Sequence, residues 1–271
     1  YAGVMPFEEG KKLDSYFKYC PVYDHNKFDD EYSLINLFSN QVTFSRRCNF
    51  NDLFDSKVDL IIPNRDRVRR TYKRLSGEKK RIFKQLYMGE SKSEHFVELK
   101  MEMNKVLDQY LFYCLTDNPV NNLMWSHYAN SHNGFCIEWD SQHMKPEKVT
   151  YQDHLAKLDI LDFIESTIDL RSKENLGVEA WSALKVKLSE WCYEQEYRLH
   201  LSNASLHLIE KDYEKFALVK SQPEWIKSII FGYRMPQETR DYIRSKLRED
   251  MVYKEVIIAP NKSSLKLQVL A

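Results

Sequence analysis

The sequence predicts one α+β domain over residues 1–271, with a helical insertion near 64–109. Three observations carry that expectation. Short runs of β-branched and aromatic residues recur along the chain, among them "QVTFS", "YLFYCLT", "FCIEWD" and "WIKSIIFG". Segments with helical spacing lie between them. No internal repeat and no Gly/Ser linker divides the chain, and 271 residues suffice for one full core.

Taken in order, "DSYFKYCPV" (14–22) reads as a short strand ending at Pro21, which cannot donate to a ladder. "DDEYSLINLFSN" (29–40) reads as a helix. Tyr32, Ile35, Leu37 and Phe38 repeat at roughly helical spacing, acids open the segment and Asn40 can close it. "QVTFS" (41–45) is then a strand, and "RRCNFNDLFDS" (46–56) a loop with Asn and Asp turn chemistry. Residues 64–112 are helical in pattern and dense in charge, and in "RDRVRRTYKRLSGEKKRIFK" basic residues greatly outnumber acids. "YLFYCLT" (110–116) is an aromatic strand, "DNPVNNLMWSHYAN" (117–130) a turn and a short helix, and "FCIEWD" (135–140) a strand. "FYCLT" and "FCIEWD" should be neighbours in one sheet, because the link between them is short. A mixed helical stretch fills 153–190. "WCYEQEYRLHL" (191–201) reads as a strand, followed by a strand at 225–232, a helix over 236–248 and a last strand at 252–260.

Composition excludes several classes. Forty basic and forty acidic residues cancel, so the whole-molecule field argues neither for nor against a nucleic-acid partner, and only a local patch could. The run at 65–84 is such a patch, or else a solvated helical face. No apolar run reaches transmembrane length and no signal-like segment opens the chain, which points to a cytoplasmic protein with no membrane partner. The five cysteines are scattered without a C-x-x-C pair, so neither a disulfide framework nor a zinc site is expected. The seven glycines are too widely spaced for a phosphate-cradling loop, and H-E-x-x-H and G-x-S-x-G are absent. No metal is expected.

Three constellations remain. In "EQEYR", a strand would put Glu194, Glu196 and Arg198 on one face with Cys192, the two carboxylates about 7 Å apart. Paired carboxylates at that spacing can stabilise an oxocarbenium-like charge and steer a nucleophile. The same pattern also makes a solvated ion-pair ladder. Trp125, His127 and Tyr128 crowd one short helix, where they either stack a flat ring or fill a core. Asn51, Asp52 and Asp55 in "FNDLFD" could hold a polar ligand or simply shape a turn.

Together, "FNDLFD", "MWSHYANSHNGFCIEWD", "EQEYRL" and "IIFG" resemble a bacterial family of unknown function. Its signature runs F-N-D-P-F-D, then M-W-x-H-Y-A…G-F-C-I-E-F, then E-x-E-Y-R. The resemblance spreads from Tyr16 to Gly232, and Leu53 stands where the family usually has Pro. The order of strands and motifs is also similar to the ADP-ribosyltransferase superfamily. That resemblance implies a split, mostly antiparallel sheet with flanking helices. It further implies NAD as substrate and transfer of ADP-ribose to a macromolecular acceptor, protein or nucleic acid.

The implied roles fall on particular residues. Glu196 would be the catalytic carboxylate and Glu194 would orient the acceptor. Tyr19 on the early strand would grip the adenosine side. Tyr113 and Thr116 on the middle strand, with Tyr128, Trp125 and His127 on the helix after it, would line the nicotinamide pocket. Asn51 and Asp52 would stand at its rim, and Arg198 would position the carboxylates. The chain departs from the superfamily in having Tyr at the early position and no Ser-Thr-Ser. Soluble bacterial members are often toxins or antiphage effectors, which implies an antitoxin or inhibitor protein as a further partner. The rival expectations are a non-catalytic nucleotide- or protein-binding module and a nucleic-acid binder using residues 65–84.

Overall fold

The computed structural model describes residues 13–201 and 203–270. It opens with β1 (Ser15–Cys20), α1 (Tyr32–Phe38), β2 (Gln41–Ser45) and β3 (Val58–Ile61). Three helices follow, α2 (Arg65–Arg74), α3 (Gly77–Tyr87) and α4 (Lys92–Asp108), filling the stretch expected to be a helical insertion. The middle of the chain forms β4 (Phe112–Thr116), α5 (Asn122–Tyr128), β5 (Phe135–Asp140), β6 (Glu147–Lys148), β7 (Thr150–Gln152) and β8 (Ala156–Asp159). After α6 (Ile160–Thr167), α7 (Lys173–Leu184) and β9 (Val186–Leu188) come β10 (Glu196–His200), β11 (Ile209–Asp212), β12 (Phe216–Lys220) and β13 (Ile226–Phe231). The described chain ends with α8 (Gln237–Lys246), β14 (Val252–Ile258) and β15 (Leu265–Val269).

The main sheet runs β11-β12-β2-β4-β1-β5-β13-β14-β15, with β10 on β4 and β6 on β10. It is mostly antiparallel, β13 and β14 being its parallel pair. "FYCLT" and "FCIEWD" share this sheet but are not adjacent. β1 runs between them, antiparallel to both. A short link spanning one intervening strand is as easy to close as one to the immediate neighbour, so link length could not separate the two.

The sheet forks at β4. One edge of β4 pairs with β10 along its whole length. Its other edge meets β1 at a single register, Phe17 opposite Thr116, and β2 at another, Ser45 opposite Phe112. A strand has two edges, so two strands sharing one of them must diverge, and the fork opens a gap.

Period-two alternation then sends β4 side chains to two cores. Tyr113 and Leu115 join Val42, Phe44, Ile137 and Trp139 beneath α1 and α8. Phe112 faces the helical insertion, with Leu60, Phe83, Phe96, Leu107 and Trp181. A third cluster of Phe17, Tyr19, Met124 and Trp125 seats α5 on β1.

The basic run is partly consumed in fastening the insertion. Glu165 of α6 is buried and accepts from Arg67 Nη1 at 2.9 Å, Thr71 Oγ1 at 2.5 Å and Arg74 Nη1 at 3.3 Å. Arg67 also reaches Asp162 at 2.8 Å. Arg69 and Arg70 stay exposed. The "mixed helical" stretch 153–190 also contains β8 and β9, too short to register as periodic patterns, and β15 follows the strand expected to be last.

Candidate functional site

The segment "WCYEQEYRLHL" is not one strand. Ser189–Glu194 forms a 3-10 helix, Gln195 takes left-handed backbone (φ 48°), and only then does β10 begin. The alternation expected for Cys192, Glu194, Glu196 and Arg198 therefore breaks at Gln195, and Cys192 is exposed. The break nonetheless returns Glu194 to the side of Glu196.

Three hydrogen bonds hold the bend. Asn121 caps α5 by accepting from the Leu123 and Met124 N–H groups, and its Nδ2 donates to the Tyr193 carbonyl at 2.6 Å. Thr116 Oγ1 donates to the Glu194 carbonyl at 2.7 Å. The Glu196 N–H donates to the Tyr151 hydroxyl at 2.8 Å.

The side chains so placed meet at Lys187 of β9. Its Nζ lies 2.5 Å from Glu194 Oε2, 2.9 Å from Glu196 Oε2 and 3.3 Å from Asp55 Oδ2. Arg198 donates through Nε to Glu196 at 2.6 Å and through Nη2 to both Asp55 oxygens at 2.7 and 2.8 Å. Its Nη1 reaches Ser56 Oγ at 2.6 Å and the Leu184 carbonyl at 2.9 Å. Phe50 and Phe112 flank the guanidinium. Tyr128 donates its hydroxyl to Glu194 Oε1 at 2.5 Å. All five charged groups are buried.

Burial disfavours charge on each of them, and the neighbours decide the outcome. For Glu196, burial opposes ionisation but the Arg198 and Lys187 charges overcome it, holding its carboxyl below the usual range. For Glu194, burial raises the carboxyl; Lys187 pulls it back, the Glu196 charge adds to the rise, and the result stays above the usual value. For Lys187, burial works against the ammonium, but Glu196, Asp55 and Glu194 together keep it protonated beyond the ordinary lysine range. Three carboxylates thus face two cations, and one negative charge is unbalanced when all are ionised.

This cluster forms one wall of a cleft of about 340 Å³ at the fork of the sheet. Of the residues anticipated from sequence, Glu194, Glu196, Tyr19, Thr116, Tyr128, His127 and Asn51 line it. Others lie elsewhere. Tyr113 is on the opposite face of β4, where its hydroxyl accepts from Trp139 Nε1 at 3.1 Å. Trp125 is fully buried beneath Tyr19, and its Nε1 donates to the Pro119 carbonyl at 2.8 Å. Asp52 accepts from the Phe54 N–H at 2.9 Å, as turn chemistry dictates. Arg198 stands behind Glu196 and buttresses it. Sequence reasoning missed Lys187, whose signal is a lone cation between Val186 and Leu188, and underrated Asp55.

Residues 124–199 match the model of the family described as Protein of unknown function (DUF2971). That stretch holds most of α5 with Lys187, Glu194, Glu196 and Arg198, so the match fits a family of unknown function of the kind the sequence motifs suggested. It is narrower than the spread from Tyr16 to Gly232, and "FNDLFD" lies outside it. No curated protein and no solved structure matches the chain. Among the described residues no helix is long and apolar enough to cross a membrane.

Proposed function

We propose that the cleft binds NAD and cleaves its nicotinamide–ribose bond, passing ADP-ribose to a macromolecular acceptor. One observation carries this reading. A concave site is lined by Glu194, Glu196, Tyr128 and Tyr19; the carboxylate cluster on one wall has one negative charge in excess when all five of its groups are ionised, and Lys18 of β1 also lines the cleft. Such a wall favours a cationic nicotinamide ring, and favours more strongly the oxocarbenium-like charge on the ribose as the bond breaks.

In the proposed reaction the C1′–N1 bond breaks and its electron pair leaves with nicotinamide, neutralising the ring. The acceptor's nucleophile then bonds to C1′, and its proton passes to Glu194 or to solvent. Glu196, held ionised by Arg198 and Lys187, supplies the stabilising charge and accepts from the ribose 2′-hydroxyl. Glu194, with its raised proton affinity, is the better base of the two. Tyr128 lies along the nicotinamide and Tyr19 toward the adenosine side.

The test is nicotinamide release from NAD, with labelled NAD and a cell lysate to trap the acceptor. Glu196→Gln leaves two carboxylates against two cations, removing the excess charge. Release should fall about 100- to 1000-fold while NAD binding changes little. Wild-type chain that neither binds nor cleaves NAD refutes the reading. A second reading is favoured by the bonds Glu196 already makes to Lys187 and Arg198. It is a binding module in which these carboxylates only hold the fold, and it predicts NAD binding without release.

A further inference from the structure

A second cavity, also of about 340 Å³, lies in the helical insertion, away from the carboxylate cluster. Its inner surface is apolar. Ile62 and Pro63 precede α2, Val68 comes from α2, Tyr87 and Met88 end α3, and Phe96 and Val97 come from α4. Val68 and Phe96 belong to the buried core beneath, so the floor is rigid. Ile62 and Val97 are about half exposed, at 49% and 52%, and Met101 continues the strip one turn along α4 at 59%. Side chains four apart on a helix share a face, which makes the strip continuous. Exposed apolar surface of this kind, joined to a cavity, marks a binding site more often than chance.

The rim has one sign of charge. Arg65 and Arg69 stand four apart on α2, and Lys92 opens α4 on the facing wall. Among the described residues no carboxylate lines the cavity. Of the lining cations, Arg69 makes a loose ion pair with Asp66 at 3.9 Å, both side chains being exposed. The start of α4 adds to the field. It is a 17-residue helix whose N-cap Ser91 makes no side-chain capping bond, and Ser93 of its first turn lines the cavity. Its acidic first-turn residue, Glu94, is outside the lining and exposed. Apolar depth and a cationic mouth built from two facing walls suit one ligand chemistry: an aliphatic chain ending in an anion.

We propose that this cavity binds an acyl chain with a terminal carboxylate, the chain on Val68, Met88, Phe96 and Val97 and the carboxylate between Arg65, Arg69 and Lys92. The cavity is of small-ligand size, and its cations gather at its mouth instead of following the Val97–Met101 strip, as they would for a long acidic peptide.

The probe is dodecanoate, titrated into the full chain below its micelle concentration by calorimetry, beside dodecan-1-ol and dodecyltrimethylammonium. Dodecanoate should saturate one site and bind about tenfold or more tighter than the alcohol, with the cationic amphiphile weakest. Arg65→Glu/Arg69→Glu should lower dodecanoate affinity by about tenfold or more and leave the alcohol unchanged. Val97→Asp should weaken both. All three side chains are exposed on helices, so circular dichroism and melting should match the wild type, and Lys92→Gln gives a milder check of the same charge. Equal affinity for acid and alcohol, indifference to the arginine reversal, or no saturable site would each overturn the proposal.

Discussion

Lys187→Met tests the organisation of the carboxylate cluster most directly. Met follows the Lys stem as far as Cε and is close to it in volume, so little space opens and the change is mainly the loss of the ammonium. Lys187 is 4% exposed and touches three carboxylates within 3.3 Å. Removing one partner of a buried ion pair costs about 3–5 kcal/mol, because the charges left behind are uncompensated. That is a large fraction of the roughly 5–15 kcal/mol that separates folded from unfolded states. With a urea slope of about 3 kcal/mol/M, the unfolding midpoint should fall by about 1–1.7 M near neutral pH.

The deficit should also depend on pH, with a definite sign. Glu194 titrates above its ordinary value in the folded state. Its favourable contribution is therefore full below its unfolded pKa of about 4.3 and is lost as pH rises through the folded value. Losing Lys187 removes an opposing charge and raises that folded value further. Glu194 of the variant then takes up a proton more readily as pH falls from about 7 to 5, and the deficit shrinks. Glu196 has the opposite sign, since its carboxyl is held low; its contribution is lost only as pH falls through that low value, and Arg198 remains to hold it. Urea melts followed by tryptophan fluorescence at the two pH values give the comparison. A deficit below about 1 kcal/mol at neutral pH, or one that grows toward pH 5, would show that Lys187 is not the counter-ion of this cluster.

Glu194→Gln should separate the two carboxylates: acceptor labelling falls while slow NAD hydrolysis persists, because water needs less orientation than a macromolecule, and the two products assayed in parallel report this. Arg67→Met should cost about 1–3 kcal/mol in thermal or urea unfolding by leaving buried Glu165 to Thr71 and Arg74 alone, whereas Arg69→Ala and Arg70→Ala should stay within about 0.5 kcal/mol. Gln195→Val should destabilise by about 1–2 kcal/mol and lower nicotinamide release, since a β-branched residue resists left-handed backbone, while Gln195→Gly should melt like the wild type.

The strands were legible where a short β-branched or aromatic run was clean. "QVTFS" alternates because one face meets a core, while "FYCLT" and "FCIEWD" read as near-continuous apolar runs because both their faces are covered. The lining of the candidate cleft was legible in part as a set of residues, and not as a geometry. Glu194 and Glu196 read as strand neighbours about 7 Å apart. They meet instead because a 3-10 turn and one left-handed residue fold Glu194 back, a device for which Gln carries no local signal of the kind Gly or Asn would. The charged groups that complete the site are harder still to anticipate. Lys187 and Asp55 come from segments far apart in sequence, joined through the β7–β9 pair and the loop before β3, and no spacing rule links them. The same distance makes the site diagnostic. A cluster in which three carboxylates share two buried cations is costly to assemble, and apolar side chains of equal volume would hold these strands at least as well. Its position on the wall of an open cleft, and not deep in one of the three apolar cores, is what a functional demand on its charge would produce.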